Sequence, residues 1–282
     1  MMKRLRTVFL AAFLTAAAGM TAGCELLKPY TAKAESRTYV LREPIDTVIV
    51  ECSEADVRLL PADEEGSRVV VNEADVIRHT VSAERGVLKI TREKSERANI
   101  MLVNVPIEVL IYLPEGTYGE LKADTSSGNI RAASGFLFGK AELGSSSGNI
   151  SFEAKTRDGL SVRTSSGNVY LDSVRGKTLS AETSSGNVTA ANTVMEEELN
   201  VRTSSGDVRF DACDAPKIGI RTSSGDVEGR LLSPKTFKVT TSSGSVSVPD
   251  SRGAQTCEIR TSSGDVSMTV PEIPYVQTNT GA

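Results

Sequence analysis

The residues best placed to bind or react are short polar ones that recur along the second half of the chain. Serine pairs from Ser126 and Ser127 to Ser262 and Ser263 each precede a glycine. Behind each glycine stands Asn129, Asn149, Asn168, Asn187, Asp207, Asp226, Ser245 or Asp265. Stacked along one edge, these side chains would offer hydroxyls and amides to a glycan or another polar polymer. Ser165, Asn168, Ser184, Asn187, Ser204, Asp207, Ser223 and Asp226 are the candidate ligand face. Turn chemistry alone asks for the same residue types, so the fold is a sufficient reason for them. Asp207 and Asp226 are the candidate metal ligands. As stacked neighbours ~4.8 Å apart they would repel, and a calcium ion would relieve that. The GGxGxDxUx calcium repeat does not occur, however, and Arg202, Arg209 and Arg221 lie close by in sequence.

Support for catalysis is thin. His79 is the only histidine, and neither HExxH nor CxxC occurs. Solenoid enzymes that cut polysaccharides can work with Asp, Arg and Lys alone, so a polysaccharide-acting β-helix enzyme is the alternative reading. Their clefts need aromatic platforms and clustered carboxylates that break the repeat. Here aromatics are 5%, tryptophan is absent, and the repeats are nearly uniform. No cofactor is expected.

The N-terminus carries the one covalent modification that the residues suggest. Lys3, Arg4 and Arg6 precede an apolar stretch from Thr7 to Ala18, too short to span a bilayer, and Thr21-Ala22-Gly23-Cys24 follows. That arrangement resembles a bacterial lipobox, which implies cleavage before Cys24 and lipidation of its thiol. Residues 1–23 are then the signal peptide, and 24–44 the lipidated N-terminus and tether. The expected location is the cell envelope, outside the cytoplasm, with membrane contact only through the lipid anchor. Cleavage removes three basic and no acidic residues from a chain of formal charge −4. An acidic mature chain without a Lys/Arg run argues against nucleic acid as a partner. Of the other cysteines, Cys257 occupies an apolar column and reads as a buried thiol. Cys52 and Cys213 fall in different columns, too far apart for a disulfide.

The elements that must position the polar rows follow from the repeat itself. Gly128, Gly148, Gly167, Gly186, Gly206, Gly225, Gly244 and Gly264 are 19 or 20 residues apart. A fixed period of that length marks units that stack only on their neighbours. Aligned on the glycines, apolar columns appear at seven and five residues before and two and four after. Leu160, Val162, Val169 and Leu171 form one such set. Polar residues fill the gaps, the alternation of short half-buried strands on both sides of a turn. The turn expectation is that glycine takes a positive φ while Asn or Asp bonds back to the local backbone. The threonine before the serines shares the parity of the core columns and should point inward.

Each unit is therefore one coil of strand, tight turn, strand and return. The coils stack in chain order into an all-β, single-domain β-solenoid with 19–20-residue coils. Residues 121–282 are the regular repeats and residues 45–120 irregular N-terminal β coils. Val50 to Leu59 aligns without gaps on Val201 to Phe210, Asn72 to Val76 repeats the core of the phrase, and Val276 to Gly281 is a last imperfect copy.

Recurrent Thr-Ser-Ser-Gly-Asp/Asn-Val at this period, after a less regular β segment and an export signal, resembles the LiaG-like bacterial "putative adhesin" family. The likeness spans residues 45–282. It implies a β-helical envelope protein whose biochemical role is undetermined. The functional expectation is a non-catalytic envelope scaffold or binding module for cell-wall polymer, glycan or a membrane protein partner.

Overall fold

The computed structural model describes residues 32–64, 66–93, 105–251 and 253–271, and they contain only β-strands as regular structure. The N-terminal strands are β1 (Ala34–Val40), β2 (Thr47–Glu51), β3 (Asp56–Pro61), β4 (Arg68–Ala74), β5 (His79–Glu84), β6 (Val87–Arg92) and β7 (Glu108–Leu113). The next coils are β8 (Gly116–Thr125) with β9 (Ile130–Ala132), β10 (Phe136–Ser145) with β11 (Ile150–Phe152), and β12 (Lys155–Arg163) with β13 (Val169–Asp172). Then come β14 (Arg175–Glu182) with β15 (Val188–Ala191), β16 (Val194–Arg202) with β17 (Val208–Cys213), and β18 (Lys217–Arg221) with β19 (Val227–Leu231). The last are β20 (Lys235–Thr240) with β21 (Val246–Ser247) and β22 (Gln255–Arg260) with β23 (Val266–Thr269).

The first strand of every coil joins an 11-stranded sheet and the second a 12-stranded sheet. Alternation decides which side chains lie between them. In β12, Leu160 and Val162 are buried while Ser161 and Arg163 are not, and across the turn Val169 and Leu171 are buried while Tyr170 is exposed. Successive coils pair in parallel and in register, so each column stacks like on like: Leu160 on Leu179, Leu179 on Leu199, Leu199 on Ile218. One coil exposes both of its edges; stacking pairs them, and a solenoid gains its stability this way.

The coil order departs from the expected chain order at both ends. β22 lies between β18 and β20, and β23 lies between β19 and β21, so among the described residues the last coil in sequence is the penultimate layer. At the other end β2 and β3 sit directly against β8 and β9, with β6 and β7 stacked outside them. The alignment of Val50–Leu59 with the repeats holds, since Val50 pairs with Ala123 and Val57 with Ile130. The reading of Asn72–Val76 as a coil does not. β4 runs antiparallel to β7 and to β1, while β5 runs antiparallel to β6, so this segment closes the N-terminal edges. Residues 34–40, assigned above to the tether, form β1 and belong to the fold. Cys24 and the Val276–Gly281 copy lie outside the described residues.

Candidate functional site

The serine, threonine and Asx rows all lie at the tight turn between the two sheets, and the structure separates them by what each atom does. Threonine faces inward. Thr203 Oγ1 accepts the Gly206 N–H at 3.0 Å and donates to the carbonyl of Gly186 in the coil below at 3.2 Å. The same pair of bonds recurs at Ser145, Thr164, Thr183 and Thr222, and all of these side chains are buried. A buried hydroxyl at this point links one coil to the next; valine, of equal shape, would leave a buried N–H and C=O unpaired.

The Asx column forms a second ladder. Asn129 N–H donates to Asp56 Oδ1 at 2.7 Å. The bond then repeats from Asn149 to Asn129, Asn168 to Asn149, Asn187 to Asn168, Asp207 to Asn187 and Asp226 to Asp207. Because of the coil interchange it continues from Asp265 to Asp226 and ends with Ser245 donating to Asp265. Each member offers a side-chain oxygen to the next coil's backbone, which Asn and Asp do equally well. Among the described residues Ser245 lies in the outermost layer and has no further coil to serve. This is why serine interrupts the column there.

The turn glycines work differently from the expectation. None has a positive φ; in the coils of Gly167, Gly186 and Gly206 the left-handed residues are Ser173, Asn192 and Ala212, six positions later at the return corner. Glycine is required by close approach. A Cβ on Gly206 would lie 1.7 Å from the carbonyl oxygen of Gly186. Alanine is accommodated at Ala55, the corresponding position of the β2–β3 coil. The layer outside it is formed by β6 and β7.

The serine hydroxyls remain. Both serine N–H groups of a turn bond to the first serine carbonyl of the coil below, as Ser204 and Ser205 do to Ser184 at 3.1 Å. Among the described residues, the only turn-pair serine whose Oγ makes a hydrogen bond is Ser127, to the Ser53 carbonyl at 3.5 Å. The remaining pairs are exposed with their hydroxyls free. The predicted ligand face is thus divided. Ser165, Ser184 and Ser204 open onto a shallow trough of about 430 Å³ with Arg163, Glu182, Arg202 and Arg221. Asn168, Asn187, Asp207 and Asp226 lie outside that trough, engaged in the Asx ladder. The arginines are the residues that reading by columns missed. Arg163, Arg202 and Arg221 stand immediately before Thr164, Thr203 and Thr222, and parity alone would have placed them outward.

For metal chemistry, Asp207 and Asp226 are neighbours in the ladder, and Asp207 Oδ2 lies 3.9 Å from Arg209. Among the described residues no three His, Cys, Asp or Glu side chains converge as a metal site would require. For acid–base chemistry, His79 is buried beside Glu73, its Nδ1 3.2 Å from Oε2. Gly144-Ser145-Ser146-Ser147-Gly148 matches the GxSxG nucleophile pattern letter for letter. Here, though, strand β10 leads through the tight turn into strand β11, whereas a nucleophile elbow needs a strand, a turn and a helix. Cys52, Cys213 and Cys257 are free and buried. Burial pushes the Cys52 and Cys257 thiols up to about 12 and Cys213 to about 11, away from the reactive thiolate.

The family model described as Toastrack DUF4097 matches residues 45–175 and again residues 153–280. No curated protein matches the chain. Among solved structures, a "putative lipid binding protein" from Parabacteroides distasonis ATCC 8503 is 16% identical, with a TM-score of 0.53 over 86% of this chain and 100% of that one. A "putative adhesin" from the same organism is 12% identical, with a TM-score of 0.48 over 84% and 97%. Another "putative adhesin", from Parabacteroides merdae ATCC 43184, is 13% identical, with a TM-score of 0.48 over 84% and 96%. At 16% identity the first likeness is one of fold.

Proposed function

The chain belongs to the Toastrack DUF4097 family, and from that premise we propose that it is a non-catalytic surface module of the cell envelope. In this reading Cys24 carries the lipid, and the solenoid holds its turn edge toward a polar envelope polymer. The observation that carries the proposal is the contrast within the turn. Thr203 and the Asx ladder are engaged in stacking, while Ser165, Ser184, Ser204 and Ser223 keep exposed and unbonded hydroxyls. A long, uniform row of free hydroxyls suits a repeating ligand better than a single small molecule, because each coil offers the same donor at the same rung.

The test uses the mature chain carrying Cys24→Ser, incubated with purified envelope polymer. Retention of the polymer is expected. A variant with Ser165, Ser184, Ser204 and Ser223 all changed to Ala should fold normally and retain at least tenfold less. Equal retention by both would remove the serine edge from the account. Polymer shortened on incubation would favour the alternative, a polysaccharide-acting enzyme.

A further inference from the structure

Beside the serine edge, the outer face of the 11-stranded sheet carries three arginines on consecutive rungs. Arg202 of β16 pairs in register with Arg221 of β18, and Arg221 with Arg260 of β22. Their guanidinium groups therefore rise from strands ~4.8 Å apart. Like charges directly opposite one another in a sheet are unfavourable. Two of the three are partly compensated. Arg202 lies 3.8 Å from Glu182, and Arg260 pairs with Glu258 on its own strand. Arg221, the middle one, has no acid within ion-pair distance among the described residues. The row exists only because of the coil interchange: in chain order the third rung would be Thr240, which instead pairs outside Arg260.

Gly219 adds a second, independent observation. It stands two residues before Arg221 on the same outward face, between Asn200 and Glu258. The missing side chain opens a depression of about 200 Å³ lined by the three arginines and Lys217 and also by Glu198 and Glu258, which pair with Lys217 and Arg260 and leave Arg221 as its free cation among the described residues. Nothing in the fold requires glycine here. Its φ is not positive, and a Cβ would lie 2.4 Å from Oδ1 at the tip of the Asn200 side chain, which can turn aside, and near no backbone atom. Glycine weakens a strand interior, and its presence there often marks close approach by a ligand.

We propose that this depression, centred on Arg221, binds the phosphate groups of a linear polyanion laid along the solenoid axis. The inference rests on the reading of the chain as a binding module and names the chemistry of its ligand. A guanidinium presents paired N–H donors that match two phosphate oxygens, and guanidiniums on successive rungs, with Arg221 unpaired between two partly compensated neighbours, favour a chain of anions over a single one. The trough lined by Ser184 and Ser204 continues the track toward Arg163.

The experiment measures binding of inorganic polyphosphate to the mature Cys24→Ser chain, against orthophosphate at equal total phosphate and single-stranded DNA of equal charge. Polyphosphate should bind best, and more weakly as salt rises. Arg221→Gln should weaken it tenfold or more. Gly219→Val, which fills the depression and keeps every charge, should weaken it at least threefold with the melting temperature maintained. Arg131→Gln, on the other sheet, should change it less than twofold. Equal losses in Arg221→Gln and Arg131→Gln, equal binding of orthophosphate, or tighter binding of DNA would each overturn the proposal. If polyphosphate is not bound while envelope polymer is still retained, this inference fails and the module reading stands. Polyphosphate binding lost in Arg221→Gln but without retention of envelope polymer would support the site and sink that reading.

Discussion

The ammonium group of Lys235 is fully buried and bonds to Asp214, a residue two layers away along the stack. Lys235 opens β20 in the outermost coil, and Asp214 precedes β18. Between them lies Gln255 of β22, whose side-chain oxygen also accepts from Lys235, and Ser233 Oγ completes the set at 2.8 Å. The four side chains span the three terminal layers in the interchanged order. A buried lysine is tolerated only when its donors are all met, as they are here.

Lys235→Met should therefore act at the end of the solenoid first. It leaves the Asp214 carboxylate in a site 19% exposed without its cation, at a cost of about 2–3 kcal/mol. Hydrogen exchange should accelerate in β20 and β21 well before β12 or β14. Uniform acceleration along the whole chain would show that Lys235 has no special tie to the coil order.

Gly206→Val should destabilise by about 3 kcal/mol or more, because its Cβ would fall against a backbone carbonyl with no room to yield. For a chain of this size that is a drop of roughly 6–12 °C in Tm. Ser205→Ala, which removes a free hydroxyl, should shift Tm by less than a degree or so. Matching melts for the two variants would refute the close-approach account of the turn.

Asp207→Asn combined with Asp226→Asn should leave Tm unchanged or slightly higher. The ladder uses only one oxygen of each side chain, and the double change removes stacked like charge worth about 1 kcal/mol or less at a solvated surface. A melting temperature that rises by several degrees with calcium in the unmutated chain, and not in the variant, would instead make this pair a metal site.

The three thiols predict how stability responds to base. Their folded values of about 11 to 12 stand above the ordinary 9.0 because burial disfavours the thiolate. A group raised on folding stabilises the protein fully below its unfolded value and loses that contribution as pH climbs toward the folded one. Tm should hold to about pH 9 and fall progressively toward pH 12, with the loss reduced in a Cys52→Ala, Cys213→Ala, Cys257→Ala chain. At pH 8 a thiol reagent should label the native mature Cys24→Ser chain far more slowly than the unfolded one; rapid native labelling would contradict the burial.

Cys24→Ser should move the protein from the membrane fraction to the soluble one. The basis is the short apolar stretch ending in Thr-Ala-Gly-Cys. An unmodified mature N-terminus with unchanged fractionation would rule out the lipid.

The amino-acid sequence determined the coil. Alternation around Leu160, Val162, Val169 and Leu171 sets which side chains face inward, and the 19–20-residue return of Thr-Ser-Ser-Gly sets where each coil turns. Parity placed the threonines inside, and turn chemistry favoured Asn or Asp behind the glycine. Which coil stacks on which was decided only by the tertiary structure. Parallel ladders are made by the backbone and are nearly indifferent to sequence, so near-identical coils could pair in either order at the end of the array. The choice rests on contacts between residues far apart in the chain: Lys235 with Asp214, and Asp265 with Asp226. Ser245 bore the trace of it as the one break in the Asx column, a sign that becomes readable once its layer is known to be the outermost of the described ones. The reason for the turn glycine was likewise hidden, since a steric conflict with the coil below cannot be seen until that coil is in place. Arg202, Arg221 and Arg260 are scattered along the chain as ordinary strand ends, and stacking brings them into one row.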